Sequence, residues 1–184
     1  MEMNMGTKGD RRQSAPVKGL RLFSAAQVVL RLAATAVTLA ATWAVLTSNQ
    51  TATVYGIQFE ARYSYTPILK FFLIANIVGC GFSFLSVFVA FVLDKMADNT
   101  SNYFSIFVLD LIVMALLLSG CAAASAIGYV GKYGESHSGW MAICDNVTKF
   151  CHKLTLSLVL SYLAVIFYLC LTILSANRSR KIYA

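Results

Sequence analysis

Two side chains of opposite charge stand inside otherwise apolar stretches: Arg31 in VVLRLAATAV and Asp110 in FVLDLIVMALLLSG. Where such stretches cross a membrane, a lone charge costs about 2.5–3.5 kcal/mol on insertion scales. Two chemistries follow. Paired bidentately, the two charges offset one another and clamp two segments together. Left apart in wet surroundings, they would mark a substrate or proton path, as intramembrane ionisable groups often do. A relay needs a second carboxylate or histidine at depth to receive the proton, and none is available, which favours the clamp.

A second constellation lies in GWMAICDNVTKFCHKL, where Cys144 and Cys151 share one polar segment with His152, and His137 lies a little earlier. In an oxidising compartment the cysteine pair reads as a disulfide. The rival is a metal site built from both cysteines and both histidines, although the spacing matches no zinc pattern. No nucleophile is paired with a histidine at one depth, and no glycine-rich phosphate loop or helical metal-ligand pair is present. The expectation is a protein that is not an enzyme and needs no cofactor or metal.

The elements that must position these residues follow from composition. Of 184 residues, 58% are hydrophobic and 12% charged, against roughly 25% charged in soluble domains. A soluble domain of this length would have to hide more apolar area than its volume allows. Four apolar stretches, about 22–46, 67–93, 104–129 and 154–174, reach the roughly 20 helical residues that a hydrocarbon core demands. Lipid offers no partner to a free backbone N–H or C=O, so each is helical, and none shows the strict period of two of a barrel strand. The first lacks the short apolar core of a signal peptide and is read as an uncleaved anchor. A disordered basic tail over 1–19, a membrane domain over 20–176 and a second basic tail over 177–184 complete the organisation.

Lysine and arginine placement orients the bundle. Lys8, Arg11, Arg12, Lys18, Arg21, Lys95, Arg178, Arg180 and Lys181 gather on one side, against Arg62, Lys70, Lys132, Lys149 and Lys153 on the other. Both tails and the middle loop are therefore assigned to the cytoplasm. The net charge of +7 reads as a topology signal beside anionic lipid rather than as a nucleic-acid site. The fold class is an all-α membrane protein: a four-helix transmembrane bundle, both termini cytoplasmic, with a short extracellular β segment in the first outer loop.

Each span carries one polar or small face. Helical stepping aligns Arg31, Thr35, Thr38 and Thr42; Asn76, Gly79, Ser83 and Ser86; Asp110, Cys121, Ala124 and Gly128; and Ser157, Ser161, Ala164, Tyr168 and Thr172. At about 1.5 Å per residue, the Cα atoms of Arg31 and Asp110 differ in depth by only some 5 Å. Small residues four apart recur as Ala36, Ala40 and Ala44; Ala75, Gly79 and Ser83; Gly120, Ala124 and Gly128; and Ser157 with Ser161. No hydrophobic force drives helices together in lipid, so close approach at such residues must do so.

The outer loops carry two glycosylation sequons, at Asn49 and at Asn146. In YGIQFEARYSY, Tyr55, Ile57, Phe59, Ala61, Tyr63 and Tyr65 alternate with more polar residues, the pattern of a half-buried strand. A strand over these eleven residues needs a partner, either the second outer loop or a neighbouring subunit. An aromatic belt in the headgroups is the alternative.

These features together resemble the plant Casparian strip membrane domain proteins and their CASP-like relatives, distant kin of the MARVEL tetraspans. The resemblance runs from about Leu20 to Arg178. It rests on VVLRLAATAV, on FVLDLIVMALLLSGCAAASAIGYVG, on YTPILKFFLIANIVGCGFS, and on the set Trp140, Cys144, Phe150 and Cys151. Claudins place their cysteine pair in the first loop, and tetraspanins have a larger, cysteine-richer second loop. The founding members of the resembled family carry a phenylalanine-rich nonapeptide where this chain reads YGIQFEARYSY, which points to the CASP-like group. The resemblance implies a self-associating, multi-pass plasma-membrane scaffold. Its partners would be copies of itself or family members, membrane lipids and extracellular cell-wall proteins, with no nucleic acid. The outer-loop residues Tyr55, Phe59, Tyr63, Tyr65 and Trp140 are the candidate contacts. The competing function is a small transporter or pore lined by the hydroxyl faces.

Overall fold

The computed structural model describes residues 14–54, 57–93, 101–135, 137 and 139–183. Four helices, α1 (Ser14–Leu46), α2 (Pro67–Leu93), α3 (Ser101–Tyr133) and α4 (Thr148–Tyr183), alternate in direction around one core. Each of α1 and α3 packs against both α2 and α4, which is the square arrangement of an up-down bundle. All four are long and apolar enough to cross a membrane, over Ala25–Leu46, Pro67–Phe88, Ser105–Tyr133 and Thr148–Asn177. Even the shorter of these, at 22 residues, reaches roughly 33 Å.

Local signals explain the ends. Pro67 opens α2, where its missing N–H costs nothing and its fixed φ suits the first turn. Gly134 closes α3 with φ 71°, its N–H donating to the Val130 carbonyl at 2.8 Å. A Cβ there would come 2.7 Å from the Trp140 carbonyl oxygen, so only glycine suits the position. The helices overrun the apolar stretches. α1 starts inside the 1–19 region expected as a disordered tail, and α4 continues through most of 177–184. Once a helix is nucleated by the membrane span, each added residue gains a backbone hydrogen bond, so the ladder outlasts the hydrophobic run.

On each helix a series of buried positions steps by alternating threes and fours. They are Arg31, Ala34, Thr38, Ala41 and Val45 on α1, and Leu69, Phe72, Asn76, Gly79, Ser83 and Ser86 on α2. On α3 they are Asp110, Val113, Leu117, Gly120 and Ala124; on α4, Leu154, Ser157, Ser161, Ala164, Tyr168, Leu171 and Ser175. That mean spacing of 3.5 is the seam of a left-handed bundle. The expected α1 face of Arg31, Thr35, Thr38 and Thr42 is rotated slightly: Thr35 and Thr42 are only half-buried and donate to the carbonyls of Arg31 and Thr38.

The connection from α1 to α2 is a hairpin. Strand β1 (Asn49–Val54) pairs antiparallel with β2 (Ile57–Arg62), in register from Asn49 with Arg62 to Val54 with Ile57. This corrects the expected pairing, because the strand partners its own loop rather than the second loop or another subunit. Two residues separate the strands, so closure costs little entropy. The strand also stops earlier than the alternation suggests, since Tyr63–Tyr65 form a 3₁₀ turn leading into α2.

Candidate functional site

The interior seam has a charged layer at the end of the bundle away from the hairpin. Arg31 approaches from α1, Ser86 from α2 and Asp110 from α3. Arg31 Nη1 donates to Asp110 Oδ1 at 3.0 Å and Nη2 to Oδ2 at 2.6 Å, a bidentate fork. Nη1 also donates to Ser86 Oγ at 2.6 Å. Arg31 is 4% exposed and Asp110 0%, so the pair is shielded by protein, and three helices are tied at one level. Arg31 lies six residues into its span, about 9 Å from that end.

Further layers tie in the fourth helix. The Tyr168 hydroxyl donates to the Gly79 carbonyl at 2.7 Å. Ser83 Oγ lies 2.5 Å from the same hydroxyl and is therefore the donor in that contact. Ser161 Oγ donates to Asn76 Oδ1 at 2.8 Å, while Asn76 Nδ2 donates back to the Phe72 carbonyl at 2.9 Å. Ser157 Oγ donates to the Ala41 carbonyl at 2.9 Å, and Gln27 Nε2 to Ser175 Oγ at 3.3 Å. Interhelical hydrogen bonds of this kind contribute about 0.6 kcal/mol each on average in a bilayer protein. Among the described residues, no buried side-chain nitrogen or oxygen lacks a partner. The polar faces are thus spent on one another.

The small residues divide. Gly79, Ser83, Gly120, Ala124, Ser157 and Ser161 are buried between helices, and Gly128 is half-buried. At Gly120 an added Cβ would sit 3.2 Å from the Ala75 Cβ and 3.5 Å from the Phe72 Cα, so α2 and α3 depend on its absence. Ala36 and Ala40 instead face outward and Ala44 is half-buried. The α1 seam uses Ala34 and Ala41 for close approach, because Arg31 sets the rotation of that helix.

At the hairpin end, Cys144 and Cys151 form a disulfide with their Cα atoms 5.7 Å apart. Both sulfurs are consumed there, and among the described residues no three His, Cys, Asp or Glu gather to hold a metal. Asn49 and Asn146 are both exposed. Tyr63 packs against the core cluster around Phe72 and Leu154, whereas Tyr65 and Trp140 are 67% and 60% exposed. Tyr55 and the side chain of Phe59 lie outside the described residues.

The sequence reading missed the contacts that lock the two loops together. Gln50 Oε1 accepts from the Phe150 N–H at 3.0 Å, so the hairpin caps one of the free donors at the start of α4. Lys153 Nζ donates to the Thr47 carbonyl at 2.7 Å. Neither had a local signal, since each partner lies about a hundred residues away. The Tyr168 latch did leave one: a polar-tipped aromatic seven residues after Ser161 on a face of small hydroxyl residues.

Fold and interior together define a multi-pass membrane protein, a four-helix bundle whose buried polar side chains, among the described residues, are all partnered within the chain. The chain belongs to the Casparian strip membrane protein domain family, whose model matches residues 21–167. It is 49% identical over 177 residues to CASP-like protein 1F1 of Vitis vinifera, covering 96% of this chain and 86% of that one. CASP-like protein 1F1 of Ricinus communis is 42% identical over 172 residues, covering 94% and 96%. CASP-like protein 1F2 of Populus trichocarpa is 45% identical over 170 residues, covering 92% and 94%. No solved structure matches.

Proposed function

We propose that this chain is a non-enzymatic, self-associating scaffold of the plasma membrane, with both termini cytoplasmic, which organises a membrane domain and recruits cell-wall-modifying proteins. The observation that carries this reading is the closed interior. Every buried polar side-chain atom among the described residues is engaged within the chain, including those of Arg31 and Asp110. Association then has to use the outside. The lipid-facing side of α1 offers Ala36 and Ala40 beside Trp43, which is 71% exposed, and small residues of this kind let a neighbouring helix approach. The hairpin end, with Tyr65 and Trp140 exposed, is the surface for extracellular partners.

Crosslinking in native membranes is expected to give discrete higher species that Ala36→Leu with Ala40→Leu diminishes. A strictly monomeric result would overturn the proposal. So would solute or ion flux in reconstituted vesicles that disappears on Asp110→Asn, since the pair would then serve conduction rather than cohesion.

A further inference from the structure

The hairpin end holds a cavity of about 730 Å³, within the roughly 300–1,000 Å³ of small-molecule sites. Its floor is apolar: Leu69 from the first turn of α2, Ile127 from the last turns of α3 and Leu154 from the start of α4. Trp140 and Met141 of the second loop border it, 60% and 82% exposed. The space exists partly because α3 presents glycines there. A Cβ at Gly128 would meet only Leu158 Cδ1, at 3.9 Å, and one at Gly131 only Cys144 Sγ, at 3.8 Å.

Place and charge point to the class of occupant. The floor is built from the ends of three helices long and apolar enough to span a bilayer, so it lies level with a leaflet's edge. Water gains little in a chamber so poor in polar groups, whereas an acyl chain from the leaflet would cover it. Polar groups stand on β2 instead, where Glu60 and Arg62 project from the same face two residues apart. Glu60 Oε1 and Arg62 Nε are 3.9 Å apart, and both side chains are nearly half exposed, so neither charge is saturated by the other. The Tyr65 hydroxyl donates to Glu60 Oε2 at 3.4 Å. A guanidinium beside a carboxylate complements a headgroup bearing both signs. Arg62 faces the phosphate, and Glu60 with the aromatic faces of Tyr65 and Trp140 receives the ammonium. A purely anionic headgroup would meet Glu60 as a like charge.

We propose that this cavity binds a zwitterionic phospholipid, its acyl portion on the apolar floor and its headgroup across Glu60 and Arg62. The test is native mass spectrometry of the full chain in neutral detergent, supplied with equal phosphatidylcholine and phosphatidylglycerol of the same chain length. One phosphatidylcholine per chain is expected to be retained about tenfold over phosphatidylglycerol. Glu60→Gln with Arg62→Gln is expected to bring the two lipids to parity, and Gly128→Leu, which fills the floor, to lower retention of both. Met141→Glu, on an exposed loop position, does the same should Gly128→Leu fail to fold. Soluble phosphocholine alone is expected not to displace the lipid. Parity in the unmodified chain, retention indifferent to all these changes, or displacement by phosphocholine would each overturn the proposal.

Discussion

Asp110→Asn isolates the charge of the clamp while keeping its shape. The amide oxygen still accepts from Arg31 Nη1, which the carboxylate oxygen meets at 3.0 Å. The new amide nitrogen would face Nη2 across the 2.6 Å now spanned by the second bond, donor against donor. Removing one partner of a buried pair costs about 3–5 kcal/mol. Arg31 lies near enough to the span's end for its stem to reach outward, which pulls the penalty toward the roughly 2.5–3.5 kcal/mol of a lone intramembrane arginine. The expected loss is about 3 kcal/mol, or roughly 150-fold in the folded-to-unfolded ratio. Unfolding by added sodium dodecyl sulfate in mixed micelles, followed by circular dichroism, reads this directly. The companion experiment is a double-mutant cycle on Arg31→Met and Asp110→Leu. The double variant removes both charges, and Ser86 keeps its own bond to the Ser83 carbonyl, 3.0 Å away, so about 2–3 kcal/mol of coupling is expected. The exchange Arg31→Asp with Asp110→Arg should recover part of what either single change loses. If Asp110→Asn stays within about 0.5 kcal/mol of the parent and the cycle is additive, the clamp reasoning is refuted.

Three further outcomes follow from other layers. Tyr168→Phe deletes both the bond to the Gly79 carbonyl and the one from Ser83, and should cost about 1–3 kcal/mol in the same titration; no change would remove the latch. Gly120→Ala should destabilise by about 1–3 kcal/mol through crowding of Ala75 and Phe72. Gly81→Ala, with nothing within 4 Å, should be neutral or better, and the reverse order would contradict the packing. Cys144 and Cys151 should resist thiol labelling until reduced, and Cys144→Ser with Cys151→Ser should cost about 2.5 kcal/mol for so short a loop. Labelling of both without reductant would remove the bridge.

Much of this architecture was written in the residues. Length and apolarity demanded four spans, and the helical period collected Asn76, Gly79, Ser83 and Ser86 on one side of α2 and Ser157, Ser161 and Tyr168 on one side of α4. Depth was legible too, because a fixed rise per residue places Arg31 and Asp110 at one level, and two opposite charges in hydrocarbon have strong reason to meet.

What the sequence could not decide was which way each repeated feature turns. Ala36, Ala40 and Ala44 have the same spacing as the small residues that pack inside, yet Ala36 and Ala40 face outward and Ala44 is only half-buried, because a periodicity gives a face without saying what lies opposite it. The strand's partner, the Gln50 cap on α4 and the bond from Tyr168 to the Gly79 carbonyl likewise needed the bundle assembled. Those contacts join residues far apart along the chain, and only the rotation of each helix against its neighbours brings donor to acceptor.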